Sequence, residues 1–250
     1  MSKESFEKNL KHLVDLKICE NFELIDHIGT GNKSEVFRAK LKQSTSSIIA
    51  IKIIKKGKEQ KNYLNTIIDF FKQFEDKERG LYYNSIEYAK YGDLLDFPKS
   101  ALKNNLFTEG LLCFLSYQIL NGLKYMHSKI IAHFGLKPNK LLIDEYLNIK
   151  LIDFSSALDY SKLNSDKITL PSRAINCYIQ PEIIKNKNIK IKDLNKIDLY
   201  SLGLILHQLA FNNEPFELVY AKGNEKITKN YYSSYFIDFL KKLLEKDINQ

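Results

Sequence analysis

The order of apolar and polar residues predicts a strand-rich first part of the chain. Apolar runs of strand length, separated by polar turns, occur at Phe22–Ile28, Ile48–Ile54, Ile67–Phe74 and Gly80–Glu87. The polar residues Glu75–Arg79 predict the turn between the last two of these strands. Further along, two short apolar runs flank a polar turn and predict a hairpin with strands at Leu141–Ile143 and Lys150–Ile152.

Apolar residues at helical spacing predict a mainly helical second part. Thr108 can cap a helix over Glu109–Ser128. The stripe of this helix predicted to be buried consists of Leu112, Leu115, Ile119, Leu123 and Met126. Asp198 opens the most hydrophobic helix, which ends near Phe211, and an amphipathic helix over Tyr235–Glu245 closes the chain.

The size and composition of the chain predict a folded, soluble protein. With 250 residues, 44% of them hydrophobic, it can bury a core as one large domain or as two lobes. Cys19, Cys113 and Cys177 lack metal-ligand spacing, which predicts buried, reduced thiols in an intracellular protein. The chain has no run of about 18 apolar residues and no signal-peptide pattern. We therefore expect a cytoplasmic protein without a membrane span.

The basic charge does not by itself indicate a nucleic-acid partner. The net charge is +8, but the only arginines are Arg38, Arg79 and Arg173, and the other basic residues are lysines. Specific recognition of phosphates and bases favours arginine over lysine. The interpretation is a lysine-rich, solvated surface without specific nucleic-acid binding, and retention on a polyanion column at physiological salt would contradict it.

Candidate chemistry begins with the glycines and the lysine of the first strands. Gly29-Thr30-Gly31 permits a tight turn whose backbone N–H groups can lie over phosphates, although a plain β-turn needs nothing more. Lys52 lies inside the apolar strand Ile48–Ile54. Because burying an unpaired ammonium is unfavourable, this side chain must reach an anion or, at a sheet edge, the solvent.

The order of the motifs resembles that of eukaryotic protein kinases of the Ser/Thr type over roughly residues 22–247. The glycine turn and Lys52 are followed by His133-Phe134-Gly135-Leu136-Lys137-Pro138-Asn139-Lys140 and by Asp153-Phe154-Ser155. These stretches stand where that family has its catalytic loop and its Asp-Phe-Gly motif. The resemblance implies an α+β, bilobal protein-kinase-like fold, with a small β-rich N-lobe and a larger, mainly helical C-lobe.

The same resemblance implies where the domains begin and end. The N-lobe would cover residues 21–89 and the C-lobe residues 90–250, after an N-terminal extension (residues 1–20) with a short helix at Ser5–Lys17. The N-lobe helix would be truncated, because only Lys58–Asn65 remains for it, and the C-lobe would end early.

The resemblance also implies an ATP site. Its residues would be Gly29, Gly31, Val36, Ala50, Lys52, Glu87, Ala89, Asp93, Leu142 and Asp153. Val36, Ala50 and Leu142 would contact the adenine, and the backbone of Glu87 and Ala89 would bind its edge. Lys52 would hold the phosphates, Asp93 would accept from the ribose, and Asp153 would hold at most one Mg²⁺.

Several catalytic positions differ from the family pattern. Gly135 stands at the catalytic Asp, Lys140 at the Asn that binds a second metal ion, and Phe134 at an Arg, while Lys137 is retained. His133 would be a packed core histidine rather than a base. The Lys140 ammonium would either partly neutralise the nucleotide or point to solvent, and the sequence leaves both open.

The C-lobe motifs are implied to support the catalytic loop. Asp198 would hold its backbone, and the long polar stretch Ser155–Asn176 would be the activation segment, closing at Gln180-Pro181-Glu182. Together these features favour a pseudokinase that binds ATP and acts through protein partners. The alternatives are a weakly active Ser/Thr kinase, which autophosphorylation would favour, and a scaffold without nucleotide, which a flat thermal response to ATP would favour.

Overall fold

The structure is a computed structural model that describes most of the chain. The described residues are 22–31, 34–42, 48–55, 70–76, 81–97, 107–161, 163–169, 176–186, 188–211 and 232–245. The helices predicted over Ser5–Lys17 and Lys58–Asn65, and Cys19, lie outside them. The chain divides into two compact units, Met1–Tyr88 and Ala89–Gln250.

The first unit is built on a five-stranded antiparallel sheet with strand order β1-β2-β3-β5-β4. Its strands are β1 (Phe22–Gly31), β2 (Ser34–Leu41), β3 (Ile48–Lys55), β4 (Phe70–Asp76) and β5 (Leu81–Glu87). The prediction of a strand-rich first part is confirmed. Three ends were wrong, because pairing with β2 continues β1 through Gly31, pairing with β5 continues β3 through Lys55, and pairing of Glu75 with Tyr82 continues β4 into the predicted turn.

The core of this sheet lies where β2 and β3 pair. Phe37 pairs with Ile51 and Ala39 with Ile49, and all four side chains are buried. Directly paired residues, and residues two apart on one strand, share a face of the sheet. The next residues along β3 face the other way, and this alternation places Ala50 and Lys52 together on the opposite face.

The second unit is mainly helical. Its helices are α1 (Glu109–Ser128), α2 (Pro181–Asn186), α3 (Leu194–Phe211) and α4 (Ser234–Leu243). The bounds of α1, its Thr108 cap and its five-residue buried stripe are confirmed, and Thr108 Oγ1 accepts a hydrogen bond from Leu111 N at 3.2 Å. In contrast, α3 begins four residues before Asp198, because a 3₁₀ turn at Ile191–Asp193 leads directly into it.

Six short strands connect the helices of the second unit. They are β6 (Ile131–Ala132), β7 (Leu141–Ile143), β8 (Ile149–Leu151), β9 (Leu158–Asp159), β10 (Lys167–Thr169) and β11 (Asn188–Lys190). β7 and β8 form the predicted hairpin, with the second strand one residue earlier than expected. The stretch predicted as a loop after Asp153 contains β9 and β10, because these pair with β6 and β11.

The prediction of buried cysteines was wrong for the two that the structure describes. Cys113 and Cys177 are both exposed. Cys113 lies on α1 next to the buried Leu112, and the helical turn directs it away from the apolar stripe. Cys177 lies in the turn that leads into α2. None of the described helices is both long and apolar enough to cross a membrane.

His207 on α3 is a buried histidine whose environment makes stability depend on pH. Its side chain is 1% exposed, its ring centroid lies 4.7 Å from that of Phe211, and its Nε2 has no hydrogen-bond partner among the described residues. Burial lowers the pKa of His207 from its ordinary value of 6.5 to about 4. As the pH falls, the unfolded chain therefore takes up a proton at His207 before the folded protein does. The free energy of unfolding is retained above the pKa of His207 in the unfolded chain and declines as the pH falls towards about 4.

We expect the His207→Leu variant to lose this part of the acid sensitivity. Between about pH 7.5 and about pH 5, the free energy of unfolding of the wild type should fall by about 2 kcal/mol more than that of the variant. Urea unfolding at the two pH values measures this difference, and the comparison cancels the contributions of the other titrating groups. Equal losses in both proteins would show that His207 does not titrate as its burial requires.

Candidate functional site

The glycine hairpin of the first unit is braced by polar side chains. In the β1–β2 pair, Gly29 lies opposite Val36. His27 Nε2 contacts Glu35 Oε2 at 2.6 Å, and the hydroxyl of Thr30 donates to the same oxygen at 2.9 Å. Thr30 lies between the two glycines and Glu35 on the facing strand, so these bonds tie both strands together beside the turn. Residues 32–33, at its tip, lie outside the described part.

The side chains predicted to contact the nucleotide share one face of the sheet. Val36 pairs with Lys52, and Ala50 pairs with Ile86 on β5. Val36, Ala50 and Lys52 therefore point to the same side, with the Ile86 side chain beside Ala50. The set combines an apolar surface with one partly buried ammonium group, and this is the chemistry that a purine and its phosphates require.

Asp93 and Leu142 lie next to each other in the second unit. They form an antiparallel bridge, supported by hydrogen bonds from Leu94 N to Leu141 O at 2.9 Å and from Ile143 N to Gly92 O at 2.9 Å. Asp93 Oδ1 accepts from Leu95 N and Asp96 N at 2.9 and 3.0 Å, so this oxygen stabilises a turn. Glu87 ends β5, and Ala89 is the first residue of the second unit.

The buried carboxylate of Asp198 holds the backbone of the catalytic-loop segment. Its Oδ2 accepts from His133 N at 2.8 Å and its Oδ1 from Phe134 N at 2.9 Å. The ring of His127 contacts Oδ2 at 2.9 Å. This confirms the role predicted for Asp198, and the bonds hold Phe134 at a φ of 55°, which an L-residue seldom adopts.

His133 is a core residue, as predicted. It is fully buried, and its ring centroid lies 5.2 Å from that of Phe154. Nδ1 accepts a hydrogen bond from Gly135 N at 3.2 Å, so the proton of the neutral ring lies on Nε2, 3.3 Å from Ile152 O. Burial is the largest influence on this ring and lowers the pKa of His133. Both nitrogens face protein groups, and the ring therefore does not serve as a base for a substrate.

Gly135, which stands where the family pattern has its catalytic Asp, has no side chain. A Cβ added there would lie 3.3 Å from Ser156 Cβ and 3.4 Å from Ser156 Oγ. Contacts of this length need the neighbour to move by a few tenths of an ångström. A side chain at this position would therefore require Ser156 to shift.

The structure brings Lys140 and Asp153 together, a contact that the sequence analysis missed. The ammonium Nζ of Lys140 forms an ion pair with Asp153 Oδ2. Ile152 N donates to Lys140 O at 2.9 Å, which continues the β7–β8 pairing and places residues 140 and 153 side by side. The signal available in the sequence was the hairpin itself, because its two ends carry opposite charges.

Lys137 is the second cation of this loop. It lies just before the 3₁₀ turn Pro138–Lys140, with extended backbone and a partly buried side chain. Within the described ranges no side-chain hydrogen bond or ion pair engages its ammonium group. Lys137 is therefore the loop cation that is available to an incoming anion, whereas the charge of Lys140 is compensated by Asp153.

Phe134, which stands where the family pattern has an arginine, belongs to a buried apolar cluster. Its side chain is 1% exposed. The other buried members of the cluster are Ala132, Ile179, Ile183, Ile189, Leu194 and Ile197. Leu158, Tyr160 and Ile168, from the segment after Asp153, pack against it. Apolar packing therefore joins the catalytic loop to this segment at the position where the family pattern has an arginine.

The sheet with its glycine hairpin and strand lysine, followed by a helical unit with a carboxylate-held loop, defines an α+β protein of the bilobal protein-kinase type. The sequence agrees, because residues 22–250 match the family model described as protein kinase domain, and the chain belongs to that family.

Three curated proteins illustrate the similarity. The chain is 32% identical over 80% of its length to 3-phosphoinositide-dependent protein kinase B of Dictyostelium discoideum. It is 28% identical over 92% to serine/threonine-protein kinase dst2 of the same organism and 26% identical over 91% to serine/threonine-protein kinase ULK3 of Xenopus laevis. The aligned parts cover 23%, 22% and 52% of these relatives.

Proposed function

We propose that this chain is a pseudokinase that binds ATP, is impaired in phosphoryl transfer, and acts through protein partners. The observation that carries the proposal is the state of the catalytic loop. The position of the base is Gly135, and the carboxylate of Asp153 is engaged by Lys140. Phosphoryl transfer needs a carboxylate that orients the attacking hydroxyl and oxygen ligands that hold a metal ion. Both requirements fail in the same loop.

Nucleotide binding is supported by what the chain retains. Val36, Ala50 and Lys52 share one face of the sheet. Lys137 is a second cation, without a partner in the described part of the chain. The backbone of the loop is held in place by Asp198. The sheet residues offer an apolar surface and a cation of the kind that an adenine nucleotide needs, and protein kinases in general use ATP as the phosphoryl donor.

The size of the catalytic defect follows from the missing base. Loss of a general base lowers the rate by about 10²–10⁴-fold. Protein kinases turn over at about 1–100 s⁻¹, so the wild-type rate expected from this change alone is on the order of 10⁻⁴ to 1 s⁻¹. The engaged Asp153 lowers it further, because metal ions stabilise the charge that develops on the transferred phosphate.

We expect purified wild-type protein to bind ATP without transferring its phosphate. Titration calorimetry measures binding, and transfer of the labelled γ-phosphate to the protein itself or to a general protein substrate measures catalysis. Lys52→Met is the control, because it removes the strand cation and should weaken binding by about tenfold or more. The double variant Gly135→Asp/Lys140→Asn, checked for folding, should raise the transfer rate by at least about tenfold.

The outcomes separate the candidate functions. Wild-type transfer at a rate typical of kinases would contradict the proposal and favour an active Ser/Thr kinase, the activity that the names of the relatives carry. The ordered loop around Asp198 is the feature that favours this second candidate. The absence of ATP binding would instead indicate a scaffold that acts without nucleotide.

A further inference from the structure

The ion pair between Lys140 and Asp153 occupies the carboxylate that the kinase pattern assigns to a metal ion. Lys140 Nζ engages Asp153 Oδ2, and Ser155 N donates to Asp153 Oδ1 at 3.3 Å. Both carboxylate oxygens therefore already have donors. The two side chains are only 21% and 22% exposed, so Lys140 does not point into solvent.

The backbone fixes this arrangement. Lys140 ends a 3₁₀ turn, and the hydrogen bond from Ile152 N to Lys140 O holds it beside the end of β8. Asp153 adopts a left-handed conformation with a φ of 62°, which turns its carboxylate away from the extended direction of β8. The pair is thus built into the hairpin and does not depend on a mobile surface side chain.

A magnesium ion does not fit the groups present at this place. Mg²⁺ requires nearly octahedral oxygen ligands at about 2.0–2.1 Å. Where Mg²⁺ accompanies a nucleotide, one or two carboxylates hold it together with the phosphates, and the Asp153 carboxylate is already paired with Lys140. The ammonium already on Oδ2 would also repel a divalent cation, because like charges at contact distance oppose each other strongly in a partly buried site.

We propose that the Lys140 ammonium takes the place of a metal ion at Asp153, so that this chain binds the nucleotide triphosphate without Mg²⁺. The inference rests on the proposed function, since it presumes that ATP binds. The physical argument concerns the charges that face the phosphates. Lys140 cancels the charge of Asp153, which would otherwise repel the phosphates, and Lys137 provides a cation for them.

The test is ATP binding by titration calorimetry in millimolar Mg²⁺ and in EDTA. The wild type should bind with a dissociation constant that differs by less than about threefold between the two conditions. In Lys140→Asn, Asp153 loses the Lys140 ammonium, so its carboxylate repels the phosphates in EDTA and, together with the new amide oxygen, can hold a metal. Its affinity should fall by about tenfold or more in EDTA and recover in Mg²⁺.

The matched control is Lys196→Asn. Lys196 is also paired with a buried carboxylate, that of Asp193 at 3.4 Å, but it lies on α3, outside the candidate site. This variant should behave as the wild type in both conditions. It separates the effect of position 140 from the general effect of removing a lysine from a basic protein.

Each contrary binding result would overturn a different statement. Wild-type binding that requires Mg²⁺ would overturn the inference and leave the proposed function standing. Equal binding by the wild type and Lys140→Asn in EDTA would overturn the role of Lys140. No binding in either condition would overturn the proposed nucleotide function, and the inference with it.

Discussion

Replacing Phe134 with alanine is expected to lower the free energy of unfolding by about 3–5 kcal/mol. The side chain is 1% exposed and belongs to a buried apolar cluster. The loss has two parts, the burial of the removed ring and the cavity that remains, because close-packed neighbours relax only partly.

The neighbours of Phe134 make collapse of that cavity difficult. Ala132 is held by the pairing of β6 with β9, and Ile189 by the pairing of β10 with β11. Leu194 and Ile197 lie on the first turn of α3. Since these elements come from three separate parts of the chain, no single backbone movement can fill the space.

Urea unfolding of the wild type and of Phe134→Ala measures the difference. The control is Phe114→Ala on α1, where the side chain is 46% exposed and the expected change is within about 0.5 kcal/mol. Phe134→Leu should give an intermediate loss, because it keeps part of the apolar volume. If Phe134→Ala and Phe114→Ala had similar small effects, the cluster would not support this part of the fold.

Replacing Asp198 with alanine is expected to lower the free energy of unfolding by about 3–5 kcal/mol. The carboxylate is fully buried and accepts from His133 N and Phe134 N, with His127 Nε2 as a third contact. Its removal leaves buried donors without an acceptor, and each such group is worth about 1–3 kcal/mol. The φ of 55° at Phe134, which these bonds hold, is then no longer fixed, so the loop backbone can change its conformation.

Two readouts test this expectation. Urea unfolding gives the stability, and amide hydrogen exchange at His133 and Phe134 reports whether the loop opens locally. Asp238→Ala is the control, because that carboxylate is 64% exposed and forms an i,i+4 pair with Lys242 on the same helix. Protected amides in Asp198→Ala, with stability unchanged, would show that the loop does not depend on this carboxylate.

The elements that could be predicted from the sequence are those with strong local signals. The helix Glu109–Ser128 has a capping threonine and a regular apolar stripe, and its bounds are confirmed. The hairpin at Leu141–Ile143 was predicted from two apolar runs around a polar turn, and only the second strand is displaced, by one residue. In both cases the hydrophobic period and the turn residues lie within one short stretch.

The less accurate predictions depended on contacts between distant residues. The strands β9 and β10 are too short to be seen in a local pattern, and they exist because β6 and β11 pair with them. The exposure of Cys113 was missed because a thiol is apolar enough to suggest burial, whereas its place on the helix decides which face it occupies.

By itself, the sequence determined the family and the order of the lobes, and it predicted which catalytic positions are altered, because each is carried by residue types at set spacings. Only the tertiary structure decided what surrounds the altered residues. Phe134 is part of an apolar cluster, and Lys140 is the partner of Asp153. The physical reason is that a lysine or a phenylalanine has many possible environments, and the folded backbone selects one by bringing particular partners within contact distance.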